Sequence, residues 1–462
     1  MIKRALLASL LSGILIVPGL SLAIGEAQAA ERAQSLLDIY QQALAHDPVL
    51  ASALNQNKAA QELIEQGKAL YRPTVNFTAG GTATQSDIRF IDATGANNPF
   101  RFQGRSNYEG YTYGLDARQP IFRKQNLVEM DQAETQVSQA DKQWNLTQQE
   151  LILRVTQAYF DVLIAQDQID LIAAQKATIS SQREQAQANF DVGNATITDV
   201  NESQARYDLI VAQEIAALNA YEVAKRAVQA ITGEIPEKLA TVRADIKTNA
   251  LDQPMGKWLD VAKQNNLNIQ IQQDNFKLAD QEIERQRAGH YPTLDAVASY
   301  NNNYANGNAT GTGSELKTGV IGLQLQVPLY LGGAVNSRVR QAVWNKEKAL
   351  EDIEIARRQA DLETQRAYLN LSTSIAQVKA LEQALVSSQS QVDSTKLGYE
   401  VGVRTSVDVL NAQQQLFSAK RDLLQARYNY LVNIIRLKAA SGIVAEPDLV
   451  DINQQLLLSA TR

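Results

Sequence analysis

The polar groups best spaced for specific interaction fall in two matching stretches. One is Tyr399-Glu-Val-Gly-Val-Arg-Thr-Ser-Val-Asp-Val-Leu-Asn411 and the other is Phe190-Asp-Val-Gly-Asn-Ala-Thr-Ile-Thr-Asp-Val-Asn-Glu202. Tyr399, Arg404 and Asp408 put a phenol, a guanidinium and a carboxylate close together at a break between helical patterns. Such groups make hydrogen bonds and ion pairs, so the chemistry on offer is holding. An arginine and a carboxylate near helix ends are most often a solvated surface pair, and spacing alone makes them candidates only. Bond-making chemistry has less support. His46 and His290 are the only histidines, and each lies two residues before a proline, where capping or surface roles are expected. No Ser/His/Asp order, phosphate-binding glycine loop or metal-ligand spacing is present. Gly80-Gly81 lies inside a strand pattern, where glycine relieves packing. An enzyme, a metal site and a cofactor are therefore not expected.

The two stretches are copies. Phe190 and Tyr399, Gly193 and Gly402, Thr196 and Thr405, and Asp199 and Asp408 are all 209 residues apart. Ala367, Leu371, Val378 and Leu381 follow Ala158, Val162, Ile169 and Ile172 at the same offset, at coiled-coil spacings of three and four. The chain thus reads as two repeats, 30–233 and 256–442, joined by an equatorial linker 234–255 and followed by an equatorial segment 443–462. Repeat 1 opens with two helices and then alternates with period two over 73–84 and 109–120, the mark of strands with one apolar face. A helix over 126–191, free of Pro and Gly, spans roughly 100 Å; a turn at Gly193 and a helix over 196–231 follow. Repeat 2 gives strands over 292–302 and 318–328, a helix over 335–400, the Gly402 turn and a helix over 405–440. Pro73, Pro120, Pro292 and Pro328 frame the strands.

Composition agrees with long, closely packed helices. The 462 residues carry 6% aromatics and no Cys, which excludes disulfide scaffolds, thiol nucleophiles and Cys-ligated zinc. A net charge of -6 argues against a nucleic-acid partner. Lys3 and Arg4, the apolar run Ala5 to Leu22 and the small-x-small site Ala27-Gln-Ala29 read as a signal peptide over 1–29, cleaved on export from a bacterial cell. No later stretch reaches the ~20 apolar residues of a spanning helix.

The strands suit a membrane instead. Each is about ten residues long, enough to cross a bilayer when tilted. Tyr71, Phe100, Phe102, Tyr108 and Phe122 crowd their ends as an interfacial girdle. Four strands cannot close a barrel, and an open edge in lipid strands backbone groups at several kcal/mol each. The barrel must be shared: two chains give one filled by side chains, three or four an open lumen. The helices then continue the strands as a tube, with both glycine turns at the end farthest from the membrane.

The stretch Tyr399 to Asn411, followed by Ala419-Lys-Arg-Asp-Leu-Leu-Gln-Ala-Arg-Tyr-Asn-Tyr-Leu431, resembles the outer membrane efflux protein family. The resemblance covers the whole mature chain. It implies a mixed α/β membrane protein: a homotrimer with a twelve-stranded β-barrel, four strands per chain, set in outer membrane lipid and continued by an α-helical coiled-coil tunnel in the periplasm. It also implies an exit duct for tripartite drug efflux or type I protein secretion, worked with a periplasmic adaptor and an inner-membrane transporter. Residue by residue, Tyr399 and Arg404 match a pair tying the inner hairpin to its neighbours, and Thr198 and Asp199 match its partners on the outer hairpin. Asp408 matches an aspartate ring at the periplasmic constriction, where like charges would raise its pKa. Asn411 stands where the family can carry a second aspartate, so the cation filter should be weaker. Gly193 and Gly402 match the tip turns that the adaptor grips. The competing readings are an adhesive trimeric surface coiled coil and a periplasmic adaptor. Strands in both halves disfavour the first, and adaptors lack paired membrane strands.

Overall fold

The computed structural model describes residues 33–88, 104–242, 248, 251–308 and 312–457. The expected signal peptide, Phe100 and Phe102 lie outside the described residues. Helix α1 (Leu36–His46) starts in a capping box in which the Ser35 hydroxyl and the Asp38 carboxylate each serve the other's backbone N–H. It buries Leu36, Ile39, Tyr40 and Ala43. Asp47 caps α2 (Pro48–Ala69), and Pro48 takes the first turn, where its missing N–H is harmless. Next come β1 (Thr74–Ile88), β2 (Gly104–Phe122), the 68-residue α3 (Lys124–Asp191) and α4 (Ile197–Thr232). After β3 (Thr241–Val242) the same order returns as α5 (Met255–Asn265), α6 (Leu267–Arg287), β4 (Thr293–Ala305), β5 (Ser314–Gln326), the 67-residue α7 (Ala334–Glu400) and α8 (Ser406–Ala440). The chain closes with α9 (Glu446–Asn453) and β6 (Leu456–Leu457).

Strands β1, β2, β4 and β5 form one antiparallel sheet in that order, leaving β1 and β5 as edges. Register runs from Thr74 opposite Arg118, through Gly110 opposite Ala305, to Thr293 opposite Gln326. The strands reach 15, 19, 13 and 13 residues, longer than the expected ten. Pro120 was expected to close the second strand. The strand instead runs on to Phe122, with a register shift between Pro120 and Phe122. A bulge admits proline because no ladder hydrogen bond is needed from it. The apolar face stands bare: Val75, Phe77, Leu115, Ile321, Leu323 and Leu325 are all exposed, Ile321 by 90%. Among the described residues no helix is long and apolar enough to cross a membrane.

The sheet is locked to the helices at its base. Asp295, 1% exposed, accepts from Arg118 at 2.5 Å and from Arg123 at 2.7 Å, and Arg123 is the residue before α3. The main core lies at mid-length of the helices. Tyr159 and Phe160 of α3 pack with Leu36 and Ile39 of α1, Leu431 and Ile435 of α8, and Leu449 and Ile452 of α9. In the linker β3 pairs with β6, so the two equatorial segments close on each other. The buried Tyr159 hydroxyl donates to the Ala240 carbonyl at 2.7 Å, pinning the linker to α3.

One ion pair ties α3 to the start of α2. Arg154 donates to both oxygens of Asp47, at 3.2 and 2.7 Å, and the Asp47 side chain is 1% exposed. Arg154→Leu strips the paired cation from a buried carboxylate that must still cap α2. It should lower stability by about 3 kcal/mol, read as a fall in the thermal midpoint of detergent-solubilised protein. An unchanged midpoint would show that the pair contributes nothing.

Candidate functional site at the hairpin tips

Helices α3 and α4 form one hairpin and α7 and α8 another, and their turns are built alike. Gly193 and Gly402 take φ of +80° and +77°, the left-handed region that glycine enters without strain. In the second turn the Val403 and Arg404 N–H groups both donate to the Gly398 carbonyl, at 2.9 and 3.1 Å. The Arg404 stem lies over Gly398, where a Cβ would stand 2.8 Å from Arg404 Cγ. After each turn a capping box starts the next helix. Thr196 and Asp199 serve α4, and Thr405 and Asp408 serve α8.

Each hairpin has its own apolar seam. Ile172 and Ile179 of α3 meet Ile210 and Ala217 of α4, while Val392 of α7 meets Ala412 and Leu416 of α8. The two seams are separate clusters, and hydrogen bonds run between the hairpins. The Ser406 hydroxyl donates to Asp199 Oδ1 at 2.7 Å. Gln182 Nε2 donates to Gln413 Oε1 at 2.6 Å. Arg206 of α4 donates to Asn411 Oδ1 at 2.7 Å and to Gln414 Oε1 at 2.9 Å, both on α8. Asn189 Nδ2 reaches the Tyr399 hydroxyl at 3.5 Å, the outer limit of a hydrogen bond. A cavity of about 710 Å³ opens between the hairpins, lined among others by Gln182, Ser203, Lys396, Tyr399, Thr405 and Gln413.

The residues singled out from sequence are thus near one another, and inside the chain they have the following partners. Within the chain Tyr399 meets Asn189 rather than Asp199, and Asp199 is occupied by Thr196 and Ser406. The exposed Thr198 hydroxyl has no hydrogen-bond partner among the described residues, and Arg404 has no carboxylate within ion-pair distance there. Within the chain the Thr405 N–H and hydroxyl hold the Asp408 carboxyl below the usual range. Asn411 is held by Arg206. Sequence reading missed Ser406, Gln182, Gln413, Asn189, Gly398 and Arg206. The capping boxes had a signal, since Thr-x-x-Asp recurs at 196–199 and 405–408. Contacts between helices two hundred residues apart have no local signature.

A sheet with an exposed apolar face, standing on two long helical hairpins with polar contacts between their tips, defines a β-anchored helical channel subunit. The family model for outer membrane efflux protein matches residues 39–234 and 258–443, and the chain belongs to that family. It is similar to the outer membrane protein TolC of Vibrio cholerae, 35% identical over 442 residues that cover 94% of this chain and 97% of the relative. It is also similar to the alkaline protease secretion protein AprF of Pseudomonas aeruginosa, 31% identical and covering 90% and 86% of the two chains. The crystal structure of the outer membrane protein VceC from Vibrio cholerae shares the fold, with a TM-score of 0.70 at 19% identity over 88% of this chain and 96% of that one. The protein is an outer membrane protein, of a family of channels rather than of enzymes.

Asp199 carries a pH dependence. The Ser406 hydroxyl, then the Thr196 hydroxyl and N–H, lower its pKa below 3.8. A lowered folded pKa stabilises above the unfolded value and loses that stabilisation as pH falls through the folded one. The thermal-midpoint gap between wild type and Asp199→Asn should be full near neutral pH and should close below 3.8. A gap independent of pH would mean that the charge of Asp199 is irrelevant to the tip.

Proposed function

We propose that the protein is the outer membrane exit duct of an export system, a homotrimer whose twelve strands close a barrel and whose helices form a tunnel that is shut at the periplasmic tips. The observation that carries this is the four-stranded sheet with two unpaired edges and a bare apolar face. Edges in lipid must be paired, and copies of the same sheet pair β5 of one chain with β1 of the next. A heptad row of exposed apolar residues on α7, Ile355, Leu362 and Leu369, gives neighbouring chains a helical seam to match. The recurring order of helices, strands and hairpins, with landmarks 209 residues apart, supports an internal duplication of 30–233 as 256–442. The linker 234–255 and the segment 443–462 form the equatorial belt of this reading.

The duct serves small-molecule efflux, type I protein secretion or both, in line with relatives of the TolC and AprF kinds. It works with a periplasmic adaptor and an inner-membrane transporter. The adaptor engages the turns at Gly193 and Gly402 beside the inter-hairpin cavity. Tyr399 and Arg404 act as latch, with partners Thr198 and Asp199 on the neighbouring chain; among the described residues Arg404 has no carboxylate at ion-pair distance and the Thr198 hydroxyl has no hydrogen-bond partner, which fits that role. Asp408 lines the constriction.

Detergent-purified protein should form cation-selective, ion-conducting trimers in planar bilayers, and a protein that never conducts would overturn the duct. Arg404→Ser with Tyr399→Phe should raise single-channel conductance severalfold, and unchanged conductance would remove the latch. Asp408→Ala should move the reversal potential toward zero, and an unaltered value would remove the filter.

A further inference from the structure

Near the tips Arg206 bridges the two hairpins directly. Its guanidinium leaves α4 and spans three acceptors: Asn411 and Gln414 on α8, and Glu202 one turn back on α4 at 3.2 Å. The side chain is 21% exposed, so the contact is sheltered more than an ordinary surface pair. It lies beside a second cavity of about 350 Å³, lined by Glu202, Leu209, Ile210, Gln413, Gln414 and Phe417. Nearer the turn, Asp199 and Ser406 make a second bond between the same two helices. The two contacts form a ladder from α4 to α8, one rung on a carboxylate and the other on a guanidinium.

We propose that Arg206 is a positioning residue of the gate. It holds α8 against α4 through Asn411 and Gln414, and it sets a positive charge one helical turn from Asp408. The proposal rests on the duct reading and deepens it. Two consequences follow from the geometry. Separating the hairpins must break two hydrogen bonds from one guanidinium, so Arg206 keeps the tip closed inside each chain, independently of contacts between chains. The carbonyl oxygen of Asn411 is engaged by Arg206, so the polar group that Asn411 offers a passing cation is already taken. Glu202 offsets part of the Arg206 charge, and the constriction is left less acidic than its Asp408 ring alone would make it.

The test uses the full-length protein in planar bilayers. Arg206→Gln should shift the closed-to-open ratio by about tenfold or more per chain, the scale of a hydrogen bond to a charged group. It should also move the reversal potential further toward that of the permeant cation. Arg206→Lys should restore the reversal potential while restoring closure only in part, since an ammonium lacks the two-pronged geometry. A residue that merely supported folding would not split the two readouts in this way. Asn411→Asp should tighten closure in the wild-type background and lose that effect in the Arg206→Gln background. Conductance and reversal potential unchanged in Arg206→Gln would overturn the proposal, as would an Asn411→Asp effect of the same size in both backgrounds. The link is also read without conduction. Thermal midpoints of Arg206→Gln, of Asn411→Ala with Gln414→Ala, and of all three together should be non-additive, and strict additivity would overturn the proposal even if the duct reading itself failed.

Discussion

A backbone N–H or C=O left unpaired in hydrocarbon costs several kcal/mol, and the architecture follows from that constraint. The sheet of four strands ends in two open edges, β1 and β5. A helix satisfies its own backbone, but a strand needs a neighbour, so the barrel part of this chain is unfinished by itself while the helical part is not. The chain is accordingly bound together in two ways. Its helices share an internal core around Tyr159 and Phe160, and its sheet exposes Phe77, Leu323 and Leu325, which no other part of the described chain covers. The Asp295 cluster with Arg118 and Arg123 joins the two regimes, and charges at that junction hold the first residues of α3 against the sheet.

The equatorial core and the tips differ in kind. At the equator α1, α3, α8, α9 and the β3–β6 pair bury one large continuous cluster. Toward the tips that cluster gives way to two small ones, each confined to a single hairpin. The change matters because burial of apolar side chains contributes about 1.5–3 kcal/mol each, whereas a typical hydrogen bond contributes about 0.5–1.5 kcal/mol net. Each hairpin is therefore held to itself more firmly than to its neighbour. Between equator and tips, Tyr428 of α8 donates to Asp167 of α3, whose burial raises its pKa.

Much of this layout was legible in the sequence, because it rests on local rules. The offset of 209 residues, period-two alternation and long stretches without Pro or Gly each report one element at a time. Pro120 misled, since a proline that ends a central strand looks the same in sequence as one seated at a bulge. The β3–β6 pair was not legible, because a two-residue strand such as Thr241–Val242 carries no periodicity. At the tips the capping carboxylates Asp199 and Asp408 were picked out, but for contacts other than the ones they make within the chain. A Thr-x-x-Asp box satisfies its carboxylate locally and lowers its pKa, and a reading centred on ion pairs overlooks that. Arg206, Ser406 and Gln182 were invisible, since their partners lie on another hairpin far along the chain.

The distribution of forces restricts how such a tip could move. Opening within a hairpin would expose Ile172, Ile179 and Ile210, or Val392 and Leu416, to water. Opening between hairpins exchanges the Ser406–Asp199, Gln182–Gln413 and Arg206–Asn411 bonds for bonds to solvent, which are nearly as good. Polar contacts also recover their partners on closing with little penalty, because neither side has been stranded in an apolar setting. The plane between the hairpins is thus the weak one. Motion along it leaves both coiled coils whole, and the large equatorial cluster gives them a fixed base from which to swing. A tip tied instead by interlocking leucines would need far more work to part, and once parted it would expose apolar surface to every passing chain.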